Sequence, residues 1–306
     1  MYYIIYAITY LFSLLPFFIL YTISDAAYFL LFRVMKYRKQ IVLNNLDIAF
    51  PEKSPQDKLA IASKFYRNLT DTFIETIKLI SISDKAFSER AIINLDQCNA
   101  LASKGRDLHF HSGHQMNWEY AHLAISKNLE TPWVGIYQPI QNKALDRIYL
   151  KIRRRYNAIM VSTYEFKSRM HTIFSGRYAL GLVADQNPAI NEKGSWLNFF
   201  SKAAPFVAVP DKIARRKDAV VVFVKIVKIK RGHYKFIPII IREHGNTLEA
   251  GELTMLFRDF LEENIREAPE NYLWSHRRWK WTFHDALQKQ WIDNIPPLQG
   301  PDQNQA

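Results

Sequence analysis

The sequence predicts an α/β protein: a mostly parallel central sheet flanked by helices, with an N-terminal hydrophobic membrane-anchoring helix. Three observations carry this. Short apolar, strand-like runs alternate with helical stretches between about residues 106 and 241, the pattern of strand–helix–strand units. Two of these runs end in polar clusters, where open α/β sheets place their chemistry. The first 32 residues contain one charge, Asp25, among Tyr, Ile, Leu and Phe.

Taken in order, residues 1–34 read as the anchor. About 20 apolar residues cross a bilayer, while Pro16 and Asp25 also suit a bent or interfacial helix. A buried N-terminal helix of a soluble domain is the plainer alternative. There is no basic n-region and no small-residue cleavage site, so a cleaved signal peptide is not expected. Arg33, Lys36, Arg38 and Lys39 follow and predict a cytoplasmic position for the rest of the chain. Residues 40–90 read as helices broken near Asn44–Glu52, with Leu69, Phe73, Ile77 and Ile80 forming an apolar stripe. Strands are expected at 106–111, Thr131–Tyr137, Tyr178–Ala184, Val220–Lys228 and Phe236–Ile241. Helices are expected near 117–127, 142–156, 165–175, 206–216 and 249–267. The main body would be residues 35–290, and residues 291–306, rich in Pro and Gln, a loose tail.

Composition narrows the partners. The chain has 306 residues, 48% hydrophobic and 14% aromatic, with only 10 Gly, which describes a globular chain with a large core. A formal charge of +12 points to an acidic partner: anionic lipid, nucleic acid or an acidic carrier protein. No zinc-finger, KH or RRM pattern occurs, which disfavours nucleic acid. Cys98 is the single cysteine, so an intramolecular disulfide and a cysteine-rich metal site are excluded.

The central motif is Gly113-His114-Gln115-Met116-Asn117-Trp118-Glu119. It reads as a strand end, a tight loop, then a helix capped by Asn117, with Glu119 in the first turn where the helix dipole favours a carboxylate. If the loop folds His114 back over the helix start, the pair becomes an imidazole oriented by a carboxylate, a general base for a hydroxyl. The spacing alone is unspecific, and by itself it favours a loop histidine beside a solvated glutamate.

Four other clusters bear on chemistry. Tyr137-Gln138-Pro139-Ile140-Gln141-Asn142 leads into a helix ending in Arg153-Arg154-Arg155, either a phosphate or oxyanion contact or a solvated helix end. Asp185-Gln186-Asn187-Pro188 is either a turn or a site wall. Phe199-Phe200 is either core or the lining of an acyl pocket. Tyr272–Trp281 interleaves aromatics and cations, which suits a membrane interface and headgroup phosphates.

Together these motifs resemble the bacterial lipid A biosynthesis acyltransferase family, the late acyltransferases within the lysophospholipid acyltransferase-like superfamily. The resemblance spans roughly residues 10–285. It is carried by Tyr37-Arg38-Lys39, Asn45-Leu46, Phe50-Pro51-Glu52, the His114–Glu119 motif, Tyr137-Gln138-Pro139 with Asn142, Asp185-Gln186-Asn187-Pro188, and Pro269-Glu270 through Trp274, His276-Arg277-Arg278-Trp279-Lys280. Met116 stands where the family usually has Gly, and Gln138 where it has Arg. The Gly that commonly follows Phe199-Phe200 is missing.

The resemblance implies a glycerolipid acyltransferase-like fold at the bacterial inner membrane, catalytic on the cytoplasmic face. It implies transfer of a fatty acyl chain from acyl-acyl carrier protein to a hydroxyl of a lipid A precursor, with His114 and Glu119 catalytic. Arg153 and Arg155 would meet the oxyanion or a phosphate, and Asn117, Tyr137, Asp185 and Gln186 would wall the site. His276, Arg277, Arg278 and Lys280 would meet membrane or headgroups. Neither metal nor organic cofactor is expected. The alternatives are an acyl-glycerophosphate or other glycolipid acyltransferase, a metal-dependent hydrolase built on His109, His111 and His114, and a non-catalytic membrane-binding protein.

Overall fold

The computed structural model describes residues 2–301. The N-terminal segment folds as α1 (Tyr2–Leu14) and α2 (Phe17–Tyr28), the latter continued by a π-helical turn over Phe29–Val34. Pro16 sits between them, where its fixed φ starts the second helix. Next come α3 (Lys39–Ala49), α4 (Pro55–Lys78), α5 (Asp84–Ser88), β1 (Ala91–Ile93) and α6 (Asp96–Ser103). The alternating core follows as β2 (Leu108–Ser112), α7 (Trp118–Asn128), β3 (Trp133–Tyr137), α8 (Lys143–Arg153), β4 (Ile159–Ser162), α9 (Phe166–Ile173) and β5 (Ala179–Val183). Then come a hairpin of β6 (Gly194–Phe199) and β7 (Lys202–Val207), α10 (Val209–Lys217), β8 (Val220–Lys230), β9 (His233–Arg242) and α11 (Glu252–Glu267).

Seven strands form one sheet in the order β1-β9-β8-β2-β5-β3-β4. The five strands from β8 to β4 are mutually parallel, while β9 pairs antiparallel with β8 and carries β1 alongside. The predicted mostly parallel sheet flanked by helices is therefore present. β1, β4, β6 and β7 were not expected: the first two have three and four residues, too short for a period of two to stand out.

Phe110 and Leu108 of β2 pack toward α7 and α8, with Trp133, Ile148 and Ile152. His111, on the opposite face of the strand, packs against Phe223 and Phe257. Phe199 and Phe200 are core residues beneath α11, not pocket lining. Phe73, expected on the buried stripe of α4, is half exposed, because that helix turns a polar face inward. There Glu75 is fully buried and accepts from Tyr234 (2.7 Å) and Asn117 (3.0 Å) on one oxygen and from Tyr21 of α2 (3.0 Å) on the other. Burial raises its pKa even against those donors. The expected loose tail is docked as far as it is described: Asn198 donates to Pro296 O, accepts from Leu298, and its N–H meets Asp293. Paired backbone beside β6 replaces solvent there; residues 302–306 lie outside the described part.

Burial pushes both His109 and His111 down to about 3. Between that value and the ordinary histidine range the unfolded chain binds two protons that the fold excludes. Stability is then complete above the unfolded pKa and falls on acidification by about 1.4 kcal/mol per pH unit for each histidine. Urea midpoints in detergent across this window will show the slope, and a His109→Gln, His111→Gln chain will show a flatter one.

Candidate active site

The site stands at the C-terminal ends of β2 and β5, which pair in parallel from Leu108↔Ala179 to Ser112↔Val183. His114 leaves β2 in the loop and Asp185 follows β5. Neighbouring parallel strands thus deliver two residues 71 positions apart to the same edge, where His114 Nδ1 lies 2.6 Å from Asp185 Oδ1. Gly113 permits the approach: a Cβ there would sit 2.6 Å from Leu261. The loop is held from behind by Leu273 N–H donating to His114 O and Met116 N–H donating to Asn271 O.

This corrects the expected pairing. His114 is oriented by Asp185, and Glu119 makes no ion pair with it among the described residues. Glu119 instead receives a two-point contact from Arg153, Nε to Oε2 at 3.0 Å and Nη2 to Oε1, with Trp118 Nε1 adding 3.1 Å. The cause is the backbone: segment 271–273 pins the loop and turns His114 toward β5, while the first turn of α7 turns Glu119 toward α8. Trp118 stands between, its ring edge-on to His114 at 5.5 Å.

Electrostatics follow the contacts. Burial raises Asp185, but the His114 contact, helped by Arg278, outweighs it and holds the carboxyl below the usual range. Burial likewise works against Glu119, and Arg153 overcomes it, so this pair is ionised. When Nδ1–H donates to Asp185, the lone pair of a neutral imidazole falls on Nε2, the atom a proton acceptor needs free.

Beside the histidine opens an apolar cavity of about 460 Å³, lined among others by Phe110, Ile125, Trp133, Met160, Leu182 and Val207. Gly135 and Gly181 face each other across β3 and β5. Lacking side chains, they leave room at the sheet surface; a Cβ on Gly181 would lie 2.5 Å from the Trp133 ring. His114, Glu119, Tyr137, Arg153 and Gln186 line this cavity.

Other expected residues lie elsewhere. Asn117 is fully buried behind the wall, capping α7 through Tyr120 N–H and donating to Glu75. Arg155, two residues past Arg153 and so on another side of the helix end, bonds Leu79 O, Ile82 O and Asp84 and touches no part of the cavity. The Tyr272–Trp281 stretch is mostly interior: Tyr272, Trp274 and Arg278 are buried. Arg278 lies 4.2 Å over the Phe206 ring and donates to Asn187 Oδ1 at 2.9 Å, steadying the turn after Asp185. Burial pushes His276 down to about 4, so it is neutral and no headgroup cation. Arg277 and Lys280 alone of the four are exposed. His109 meets Tyr178 OH at 3.0 Å, His111 lies among phenylalanine rings, and among the described residues no three His, Cys, Asp or Glu side chains converge. His122, bridging Arg153 O and Trp133 Nε1, was missed altogether, since nothing local in the sequence distinguishes it.

The molecule is thus an α/β protein with a histidine–carboxylate pair at the mouth of a hydrocarbon-lined cavity. The sequence profile described as bacterial lipid A biosynthesis acyltransferase matches residues 1–281, and the chain belongs to that family; it is an acyltransferase. It is 24% identical over 269 residues to the lipid A biosynthesis lauroyltransferase of Escherichia coli (strain K12), covering 87% of each chain. It is 22% identical over 256 residues, 80% of each chain, to the lipid A biosynthesis palmitoleoyltransferase of the same organism and, with the same figures, to a lipid A biosynthesis acyltransferase of Shigella flexneri.

Substituting Glu119→Gln leaves Arg153 charged, with only 17% of its side chain exposed and its buried partner gone; the loss is expected to be about 3 kcal/mol. The double variant Glu119→Gln, Arg153→Gln should recover part of it, measured by urea midpoints.

Proposed function

We propose that this chain transfers a fatty acyl group from acyl-acyl carrier protein to a hydroxyl of a lipid A precursor, on the cytoplasmic face of the bacterial inner membrane. The observation that carries the mechanism is the His114–Asp185 contact of 2.6 Å at the mouth of the apolar cavity. Family membership and the named relatives support the acceptor. The charge of +12 supports an acidic donor protein and a phosphorylated acceptor.

In this reading His114 Nε2 takes the acceptor's hydroxyl proton while Asp185 stabilises the imidazolium that results. The oxygen attacks the thioester carbonyl, the C–S bond breaks, and the carrier thiolate leaves with the proton returned by His114. Arg153, anchored by Glu119, spends Nε and Nη2 on that carboxylate and offers its remaining N–H donors to the developing oxyanion. Glu119 therefore positions Arg153 rather than His114. Trp133, Phe110 and Leu182 hold the acyl chain. No acyl-enzyme is needed: Cys98 is buried in α6, and burial pushes its thiol up to about 11.

Detergent-purified protein incubated with acyl-acyl carrier protein and a tetra-acylated lipid A precursor should yield one added acyl chain by mass analysis. His114→Ala should lower the rate by about 10²–10⁴, and Asp185→Asn should lower kcat with KM little changed. Acyl gain that survives His114→Ala removes the mechanism, and an acylated phospholipid in place of lipid A removes the acceptor.

Chain selection has its own test. Gly181→Ala forces the Trp133 ring away from a 2.5 Å clash and into the cavity. Competition between donors of different length should then shift toward the shorter chain.

A further inference from the structure

Phe17–Val34 is long and apolar enough, by length and composition, to cross a membrane. Yet α2 lies along α4, bound through a polar seam. Arg231 bridges Asp25 of α2 and Asp71 of α4, with Nη2 at 2.8 Å and 2.6 Å. Ser24 donates to Asp71 at 2.8 Å, and Tyr28 OH meets Ser63 at 2.7 Å. The junction before α2 is held too: Lys78 donates to the carbonyls of Ser13 and Leu15, which α1 leaves without internal partners. At the start of α1, Lys151 donates to Tyr6 OH, and Arg147 stacks 4.1 Å over Tyr2.

The outward side is different. Ile4, Ile8, Leu11, Leu14, Phe18 and Phe29 are all more than half exposed. From Ile4 to Phe18 they are spaced by three and four, and Phe29 follows eleven residues, three helical turns, later, so each helix turns an apolar stripe outward. Asp25 falls at the ninth of the 18 residues of Phe17–Val34. Spanning would place it, with Arg231 of the β8–β9 turn attached, at the bilayer centre, where nothing solvates them. The 13 residues of α1 reach only about 20 Å against a hydrocarbon core of about 30 Å.

We propose that α1 and α2 lie in the plane of one leaflet, apolar stripe down, and that the chain does not cross the bilayer. The occupant of the stripe is an anionic lipid surface, on grounds of charge. Exposed Arg33, Lys36 and Arg38 follow α2. A cleft of about 500 Å³ opens beside it, lined by Lys64, Arg67, Lys225, Lys228 and Lys230 against Glu267 and Glu270, so cations outnumber carboxylates, with Arg67 stacked 4.4 Å over Tyr28. An amphipathic helix with flanking cations on an anionic leaflet sinks roughly 5–10 Å. The inference rests on packing and charge, and holds whichever acceptor the enzyme uses.

The test uses the full chain with Cys98→Ser, reconstituted in phosphatidylethanolamine–phosphatidylglycerol vesicles. Single cysteines at Ile4, Leu11, Phe18 and Phe29 carry a fluorophore, and nitroxides sit shallow or deep along the lipid tails. Stronger quenching by the shallow nitroxide at all four positions is the expected result. Strongest quenching by the deep nitroxide at an intermediate position, with the two ends reached by impermeant quencher from opposite sides, would overturn it. So would no quenching at any position with cross-linking between chains, which would mean that a second copy covers the stripe. Arg231→Gln serves as a second readout: freeing the seam should change the depth pattern, whereas a spanning helix keeps its own. None of these signals requires acyl transfer, so failure here is distinct from failure of the catalytic reading.

Discussion

One contact organises the site: the imidazole of His114 against the carboxylate of Asp185. It exists only because β2 and β5 are neighbours running the same way, so that both chain exits emerge at one edge. The surrounding parts serve that meeting. Gly113 lets the loop pass under Leu261, segment 271–273 ties its back, and Arg278 steadies the turn that carries Asp185. The ion pair of Glu119 and Arg153 is a second construction on the adjoining helices, sharing the cavity but not the histidine.

The strand–helix alternation was legible because each unit is long enough to show its period, and five strands were placed within a few residues. The apolar N-terminal helix was legible from composition. What stayed hidden was strand order. From the sequence, the carboxylate nearest His114 is Glu119, five residues on; in space it is Asp185, 71 residues on. Local spacing has no access to which strands adjoin, and parallel pairing is made of non-local contacts. Asp185 was nevertheless visible as a polar residue closing an apolar run, so its place was legible though its partner was not.

The aromatic and cationic stretch near the C-terminus illustrates a different limit. Interleaved Trp, His and Arg describe a membrane edge in composition, yet Trp274 and Arg278 are interior. Arg278 is tolerated there because it rests on aromatic faces and bonds Asn187. Residue type records the chemistry on offer, and burial decides whether water, lipid or protein receives it.

Glu75 carries a practical consequence. Its two oxygens collect Tyr21 from α2, Tyr234 from β9 and Asn117 from the start of α7. A shortened chain lacking residues 2–34, made to obtain a water-soluble enzyme, would do more than discard a greasy handle. It would uncover one side of a buried carboxylate, unseat Asp71 and Arg231, and loosen the residue that caps the helix behind the histidine. Inactivity in such a chain would report a damaged interior as readily as a missing membrane, and solubility is better sought by recolouring the outward stripe with polar residues while leaving Tyr21, Ser24, Asp25 and Tyr28 in place.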